Sequence, residues 1–255
     1  MIKEQQVSLK KKKILVIGDS CKDVFVYCKA QRLAPDVPVP VLNVVERKEN
    51  PGMAKNLEMN IRSLTDDCEI ITNPEWQKTT KMRYMHHQSN HAFLRVDAND
   101  EISRINVTKI PFEKYHTIAV SDYNKGFLME EDIKYICENH DSVFIDSKKV
   151  LGPWVNKAKF IKINDLEYEH SKYVITKNMA NKIIRTRGDK GAVFRGKIYP
   201  VRKVEVRDLS GAGDSFFAAL IVKYVETRDI EEAIIFANEC ASEVVQHKGV
   251  VVIHK

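Results

Sequence analysis

The feature that most restricts the fold of this chain is a series of short apolar runs, each closed by a polar residue. Ile14-Leu15-Val16-Ile17 ends at Gly18-Asp19, residues 117–120 run into Ser121-Asp122-Tyr123, and Val143-Phe144-Ile145 ends at Asp146. Residues 159–163 are closed by Asn164, and the weaker pair Ile183-Ile184 by Arg185-Thr186-Arg187-Gly188. Continuous rather than alternating apolarity marks strands covered on both faces, as in parallel sheets. Between these runs, residues 54–64 carry Leu57, Ile61 and Leu64 at helical spacing, and a second helix is predicted over 130–139. Strands alternating with helices predict an α/β fold around a mainly parallel sheet. Ligands of such sheets sit beyond the carboxyl ends of the strands. Asp19, Asp122, Asp146, Asn164 and Arg187 all fall there.

Two segments break this rhythm. Val37-Pro38-Val39-Pro40-Val41-Leu42 alternates β-branched residues with prolines, which cannot donate to a central ladder, so it belongs at a sheet edge or in an accessory sheet. Residues 79–97 read as two extended pieces around Ser89-Asn90, a hairpin. No repeat, low-complexity tract or long linker divides the 255 residues. The expectation is a flexible basic tail at 1–13, then one domain at 14–255 with β-lid segments at about 32–50 and 79–97.

The net charge of +6 is a mild excess, part of it in Lys10-Lys11-Lys12-Lys13. That run reads as a solvated arm; without interleaved aromatics or a nucleic-acid-binding motif, no nucleic-acid partner is expected. The five cysteines are odd in number and lack a paired spacing, which excludes a disulfide framework and fits a reducing cytosol. A lysine-rich N-terminus without an apolar core region is not a signal peptide, and no apolar stretch is long enough to span a bilayer. The expectation is therefore a cytoplasmic protein without a membrane partner. His86, His87 and His91 lack a cysteine or carboxylate at matching spacing and read as lid histidines; Trp76 and Trp154 read as packing residues.

The chemistry concentrates in Gly211-Ala212-Gly213-Asp214, set before the helical run Ser215-Phe216-Phe217-Ala218-Ala219-Leu220-Ile221-Val222. Small residues at a helix N-terminus leave backbone N–H groups open to an anion, which the macrodipole also favours. An aspartate in the same loop can take a proton from an attacking hydroxyl while the amides stabilise the transferring group. Taken alone, the same four residues also describe an ordinary glycine-rich turn with Asp214 as the helix cap.

The longer string Asp208-Leu209-Ser210-Gly211-Ala212-Gly213-Asp214 resembles the D-T-x-G-A-G-D signature of the ribokinase, or phosphofructokinase-B, family of carbohydrate kinases, and Asn164-Asp165-Leu166-Glu167 resembles its N-x-x-E motif. Within that family the chain is most similar to the kinase domain of bacterial D-glycero-β-D-manno-heptose 7-phosphate kinases. Arg32-Leu33-Ala34-Pro35-Asp36-Val37-Pro38-Val39-Pro40-Val41 resembles their R-I-S-P-E-A-P-V-P-V, and Ser121-Asp122-Tyr123-Asn124-Lys125-Gly126 their S-D-Y-x-K-G. Asp146-Ser147-Lys148 resembles their D-P-K, and Lys81-Met82-Arg83 their T-K-x-R region. The G-x-x-x-x-G-K-[ST] pattern of P-loop kinases is absent, as is the H-x-G-H motif of the adenylyltransferase domain fused to some heptose kinases.

The resemblance implies a ribokinase-like three-layer α/β/α fold with a small β-lid, and a MgATP-dependent kinase acting on a sugar phosphate. It assigns Asp214 as general base and the amides of Gly211, Ala212 and Gly213 as the anion hole. Asp23, Gly52 and Asn56 would bind the sugar, and Lys81, Arg83, Arg95 and Lys125 a phosphate already on it. Asn164, Arg187, Gly188, Asp208, Asn238 and Gly249 would serve the nucleotide, and Glu167 a Mg2+ through water. Lids of this family often pair across a dimer, which implies a homodimer. Two departures bear on the acceptor: Met53 replaces the second glycine of a family pair, and the chain is shortened after Leu64 and again after Glu167. The first predicts an altered hinge, the second a wider pocket. A related kinase with another hexose, pentose or nucleoside acceptor, and a non-catalytic sugar-phosphate or nucleotide binder, are the alternatives.

Overall fold

A computed structural model describes residues 12–89 and 91–253. In chain order the strands and helices are β1 (Ile14–Gly18), β2 (Ser20–Leu33), β3 (Pro40–Met53), α1 (Ala54–Leu64), β4 (Cys68–Ile71), β5 (Thr80–His86) and β6 (Ala92–Ala98). There follow β7 (Thr117–Asp122), α2 (Glu130–Asn139), β8 (Val143–Ser147), β9 (Phe160–Asn164), α3 (Asp165–Ser171), α4 (Lys177–Ala180) and β10 (Ile183–Thr186). The chain ends with β11 (Ala192–Phe194), β12 (Lys197–Tyr199), α5 (Ala212–Thr227) and α6 (Ile230–Val244).

The central sheet has the order β12-β11-β10-β9-β8-β7-β1-β4. Its strands from β4 to β10 are parallel, and β11 and β12 close one edge antiparallel. Successive residues of β1 feed opposite layers: Ile14 and Val16 pack with α1, α5 and α6, while Leu15 and Ile17 pack with α2. This is why the strand reads as an unbroken apolar run, and it produces the three-layer α/β/α architecture. β1 lies between β4 and β7, so the chain reverses direction across the sheet at β1. The crevice beyond that reversal is the ligand position of doubly wound sheets. Asp19 and Asp122 stand on either side of it.

The lid is a second sheet, β3-β2-β5-β6. It is larger than the segments 32–50 and 79–97 suggest, because β2 leaves β1 after a single residue and runs to Leu33. No turn signal separates the two strands, and lysines at 22 and 29 interrupt the apolar pattern that would mark β2. Val37 and Val39 lie in the connecting turn, and the edge strand β3 begins at Pro40. The shortened region after Leu64 keeps a strand, β4, paired with β1. Residues 1–11 of the predicted tail lie outside the described residues. Lys12 donates to Val225 O at 2.7 Å, and Lys13 pairs with Glu69 at 2.5 Å.

Among the described residues all five cysteines are free and buried. No helix among them is long and apolar enough to cross a membrane.

Candidate active site

α5 begins one residue after Gly211, its N-cap, which sits at φ 82°. A side chain there would be strained, and its Cβ would press on Asn56 Nδ2 at 3.2 Å. Asp214 is thus the third helical residue rather than the cap, because the left-handed turn at Gly211 starts the helix early. The amide of Gly213 falls among the first-turn donors that have no acceptor inside the helix, whereas that of Ala212, expected to join the anion hole, donates back to Leu209 O at 3.3 Å. Placing Gly213 in a helix costs about 0.5–1 kcal/mol. Burial of Phe216 or Phe217 alone, at about 1.5–3 kcal/mol each, offsets that.

The Asp214 carboxylate is buried and held from two sides. Asn56 Nδ2 of α1 donates to one oxygen at 2.7 Å, and the Tyr123 hydroxyl donates to the other at 2.8 Å. Burial raises its pKa above the usual carboxylate range; the two donors and Lys162 pull it back, while Asp146 adds to the rise. A base of raised proton affinity that still ionises is suited to accepting a hydroxyl proton.

Beneath the loop lies an ion network at the ends of β8 and β9. Lys162 Nζ donates to Asp146 Oδ2 at 2.7 Å and lies 3.3 Å from where a Gly213 side chain would begin. Lys148 Nζ bridges Asp146 (3.2 Å) and Glu167 (2.6 Å). Burial alone would raise the pKa of Asp146, but Lys148 and Lys162 outweigh it and hold the group ionised. Burial works against the charge on Lys148, and Asp146 and Glu167 reverse this to raise its pKa.

Asn164 and Glu167 form the capping box of α3: Asn164 Oδ1 accepts from Glu167 N at 2.9 Å, and Glu167 Oε2 accepts from Asn164 N at 2.8 Å. No group of three or more His, Cys, Asp or Glu among the described residues could hold a metal ion. Glu167 already accepts from Lys148 and twice from Asn164, so it would face a Mg2+ only through the waters that the ion keeps when it arrives with substrate phosphates.

The lid supplies the opposite wall. Arg83 Nη1 donates to Asp23 Oδ1 at 2.6 Å, and Lys81, nearly buried, reaches Asp100 at 2.9 Å and Asp97 at 3.4 Å. Arg95 grips Asp97 through two bonds of 2.7 and 2.8 Å, and Lys125 pairs with Asp100. Gly52 pairs with Cys21 across β2 and β3; a Cβ on it would collide with the Asp23 carboxylate and Cys21 Sγ. Met53, the last residue of β3 and the N-cap of α1, takes φ 59° and ψ −131°, a conformation glycine adopts freely and methionine does not. Met53 keeps a positive φ in spite of its side chain, and the backbone there is held under strain.

These walls enclose a cavity of about 320 Å³. Asp214, Gly211, Asp23, Asn56, Lys81, Arg83, Arg95 and Lys125 all line it, although they come from opposite ends of the chain. Asn164, Glu167, Arg187, Gly188, Asp208, Asn238 and Gly249 lie outside its lining, as do Gly52, Ala212 and Gly213. Asp208 is a brace: one oxygen accepts Ser210 N (2.9 Å), the other Gly249 N (3.0 Å). Asn238 donates its amide to Tyr199 O at 2.9 Å and so fastens α6 to β12. Arg187 pairs with Asp165 at 3.4 Å, and Gly188 opens the short turn after β10.

Tyr123, Lys148 and Lys162 were not foreseen as site residues. For Lys162 a signal existed: a lysine inside the apolar strand Phe160-Ile161-Lys162-Ile163 is rarely buried without a purpose. Tyr123 and Lys148 stood in recognisable motifs, but nothing local shows that both reach the cavity.

A doubly wound sheet with a β-lid over its switch point defines a ribokinase-like fold. The structure is similar to Thermotoga maritima ribokinase (TM-score 0.72, 16% identity, 93% of this chain and 94% of that one). It is also similar to Arabidopsis thaliana ribokinase complexed with ribose and ATP (TM-score 0.67, 12% identity, 94% of each). Residues 120–253 match the pfkB family carbohydrate kinases, and the chain belongs to that family. Among curated proteins it is 28% identical over 296 aligned residues to the bifunctional protein HldE of Helicobacter pylori, covering 93% of this chain. The chain spans 64% of the length of that relative.

Proposed function

We propose that the chain transfers a phosphoryl group from MgATP to the anomeric hydroxyl of a heptose 7-phosphate, with Asp214 as general base. The observation that carries this reading is the convergence on one cavity of the doubly held Asp214 carboxylate and the cations of Lys81, Arg83, Arg95 and Lys125. Membership of a carbohydrate-kinase family accounts for ATP as donor and a sugar hydroxyl as acceptor. The similarity to HldE supports the heptose, and the four cations support an acceptor that already bears a phosphate.

Asp23 accepts sugar hydroxyls, Asp214 takes the proton of the attacking one, and the first-turn amides of α5 together with Lys162 and Lys148 face the developing negative charge. When bound near Glu167, Mg2+ supplies further neutralisation of phosphate charge.

Asp214→Asn should lower kcat by about 10³-fold while MgATP binding and the folded state persist. Retention of most activity would overturn the mechanism. A panel of sugars and sugar phosphates in an ATP-consumption assay tests the acceptor: preference for an unphosphorylated sugar or a nucleoside sinks the heptose reading and leaves the kinase intact. Ligand retention without ADP formation would instead indicate a binder.

We also propose a homodimer through the lid. Its outer face carries Val44, Leu94 and Val96 exposed beside the buried Val24, Val26 and Cys28, an apolar surface that a second lid would cover. A monomer by light scattering at micromolar concentration would count against it.

A further inference from the structure

Asp214 depends on two donors, and the structure braces them unequally. Asn56 is fixed inside the core: Asn60 Nδ2 donates to its side-chain oxygen at 3.2 Å, and Asn60 in turn accepts from Ser215 Oγ at 3.0 Å. Tyr123 comes from the turn after β7, half-buried, with Lys148 Nζ 5.3 Å from its ring centre. That turn hangs from two fully buried carboxylates. Asp19 Oδ2 accepts from Tyr123 N (2.9 Å) and from Lys125 N (3.1 Å). Asp122 Oδ1 accepts from Asn124 N at 3.0 Å, and Asn124 sits at φ 58°. Asp122 is saturated by Lys149, at 2.8 Å to each oxygen, and by Ser147 Oγ at 2.5 Å. Asp19 has no cation in contact, and its Oδ1 has no hydrogen-bond partner among the described residues. An ionisable side chain buried on those terms, at the sheet's switch point, is costly for a mere turn anchor.

We propose that Tyr123, aimed by Asp19, is a positioning residue for the phosphoryl transfer: its hydroxyl holds Asp214 turned toward the acceptor and in the ionised form. The inference rests on Asp214 being the base. The tyrosine works as a hydroxyl that stays protonated and so always has a proton to donate to an ionised Asp214. Burial of the phenol and the neighbouring Asp214 raise the Tyr123 pKa well above its ordinary value, so the hydroxyl keeps its proton and donates throughout the working range. A carboxylate accepting from a neutral hydroxyl is favoured in its charged form, and the hydroxyl occupies Oδ1 in one fixed direction. The remaining charged groups facing this pair are Asp146 of β8, Lys162 of β9, Lys148 beyond β8 and Asp23 of β2.

The test is the pH dependence of kcat in four variants. Tyr123→Phe should lower kcat about tenfold, leave the KM for MgATP within about twofold, and move the acidic limb upward by roughly half to one pH unit. Asp19→Ala should reproduce both effects, because the two loop amides lose their acceptor. Asp19→Asn, whose amide oxygen can still accept from both, should recover most of the loss. The double variant Tyr123→Phe/Asp19→Ala should be no worse than the poorer single variant, since both act through one contact. An unmoved acidic limb in Tyr123→Phe, or additive losses in the double variant, overturns the proposal. If Asp19→Ala fails to fold, Tyr123→Phe decides alone, since it removes only an oxygen. Asp214→Asn separates the two levels. Activity in that variant removes the base itself; inactivity there with a wild-type profile in Tyr123→Phe removes only the role of the tyrosine.

Discussion

In the floor beneath the cavity, outside its lining, the side chains of Asp146 and Lys162 are each 4% exposed and bonded to one another. On the lid wall, Arg95 and Asp97 form an equally short pair, with side chains 47% and 31% exposed. The contact distances are the same; the surroundings are not. A buried charge whose partner is removed cannot turn to water, whereas an exposed pair is worth no more than about 1 kcal/mol and exchanges partners readily. The floor is therefore built to hold one arrangement through the reaction. The lid pairs, by contrast, can exchange partners when another anion arrives.

The sharpest way to break this contrast is Lys162→Met. Leaving the buried Asp146 with only its longer bond to Lys148 (3.2 Å) should cost about 1.5–3 kcal/mol in urea unfolding, while Arg95→Met should cost less than about 1 kcal/mol. Equal losses would erase the distinction.

Asp19 gives a second probe of the floor. Burial, with Asp122 adding to it, raises its pKa from 3.8 to about 6. A carboxyl raised on folding favours the native state while protonated, so its contribution is complete below about pH 4 and is lost as pH rises through 6. Asp19→Asn should thus gain on the wild type by about 3 kcal/mol between pH 4 and 7, read as the difference of two unfolding curves. A constant difference would show that Asp19 is already ionised at low pH.

On the lid, Arg83→Ala should raise the KM for the phosphorylated acceptor about tenfold and leave that for MgATP unchanged. Equal effects on both substrates would mean the wall does not sort acceptors. The smallest effect is expected at the border. In Met53→Gly, relief of a strained backbone, about 1–3 kcal/mol, is offset by lost burial and added chain entropy. Net stability should change by less than about 1–2 kcal/mol, while amide exchange in β3 next to the hinge quickens.

Much of the α/β core was legible because it is made of local signals. α1 and α2 have the bounds that their periodicity predicts, and the polar closures of the apolar runs do lie at strand ends. The lid was harder. β2 follows β1 after one residue, and its inward and outward faces, Phe25 and Tyr27 against Val24 and Val26, are both apolar, so no alternation marks it. Asp214 as a helix cap was the natural reading of Gly-Ala-Gly-Asp, and the left-handed turn at Gly211 displaced the cap by three residues.

The sequence by itself determined the α/β order, the glycine-rich turn before α5 and the cations within the lid strands, because each is a pattern within a few residues. Only the tertiary structure decided which of them meet. Asn56 and Asp214 are 158 positions apart, and Tyr123 and Asp214 are 91. Lys162 acquires its place from the pairing of β9 with β8, which sets Lys162 directly opposite Asp146. Contacts of that range are set by sheet order and helix packing, and no local spacing encodes them.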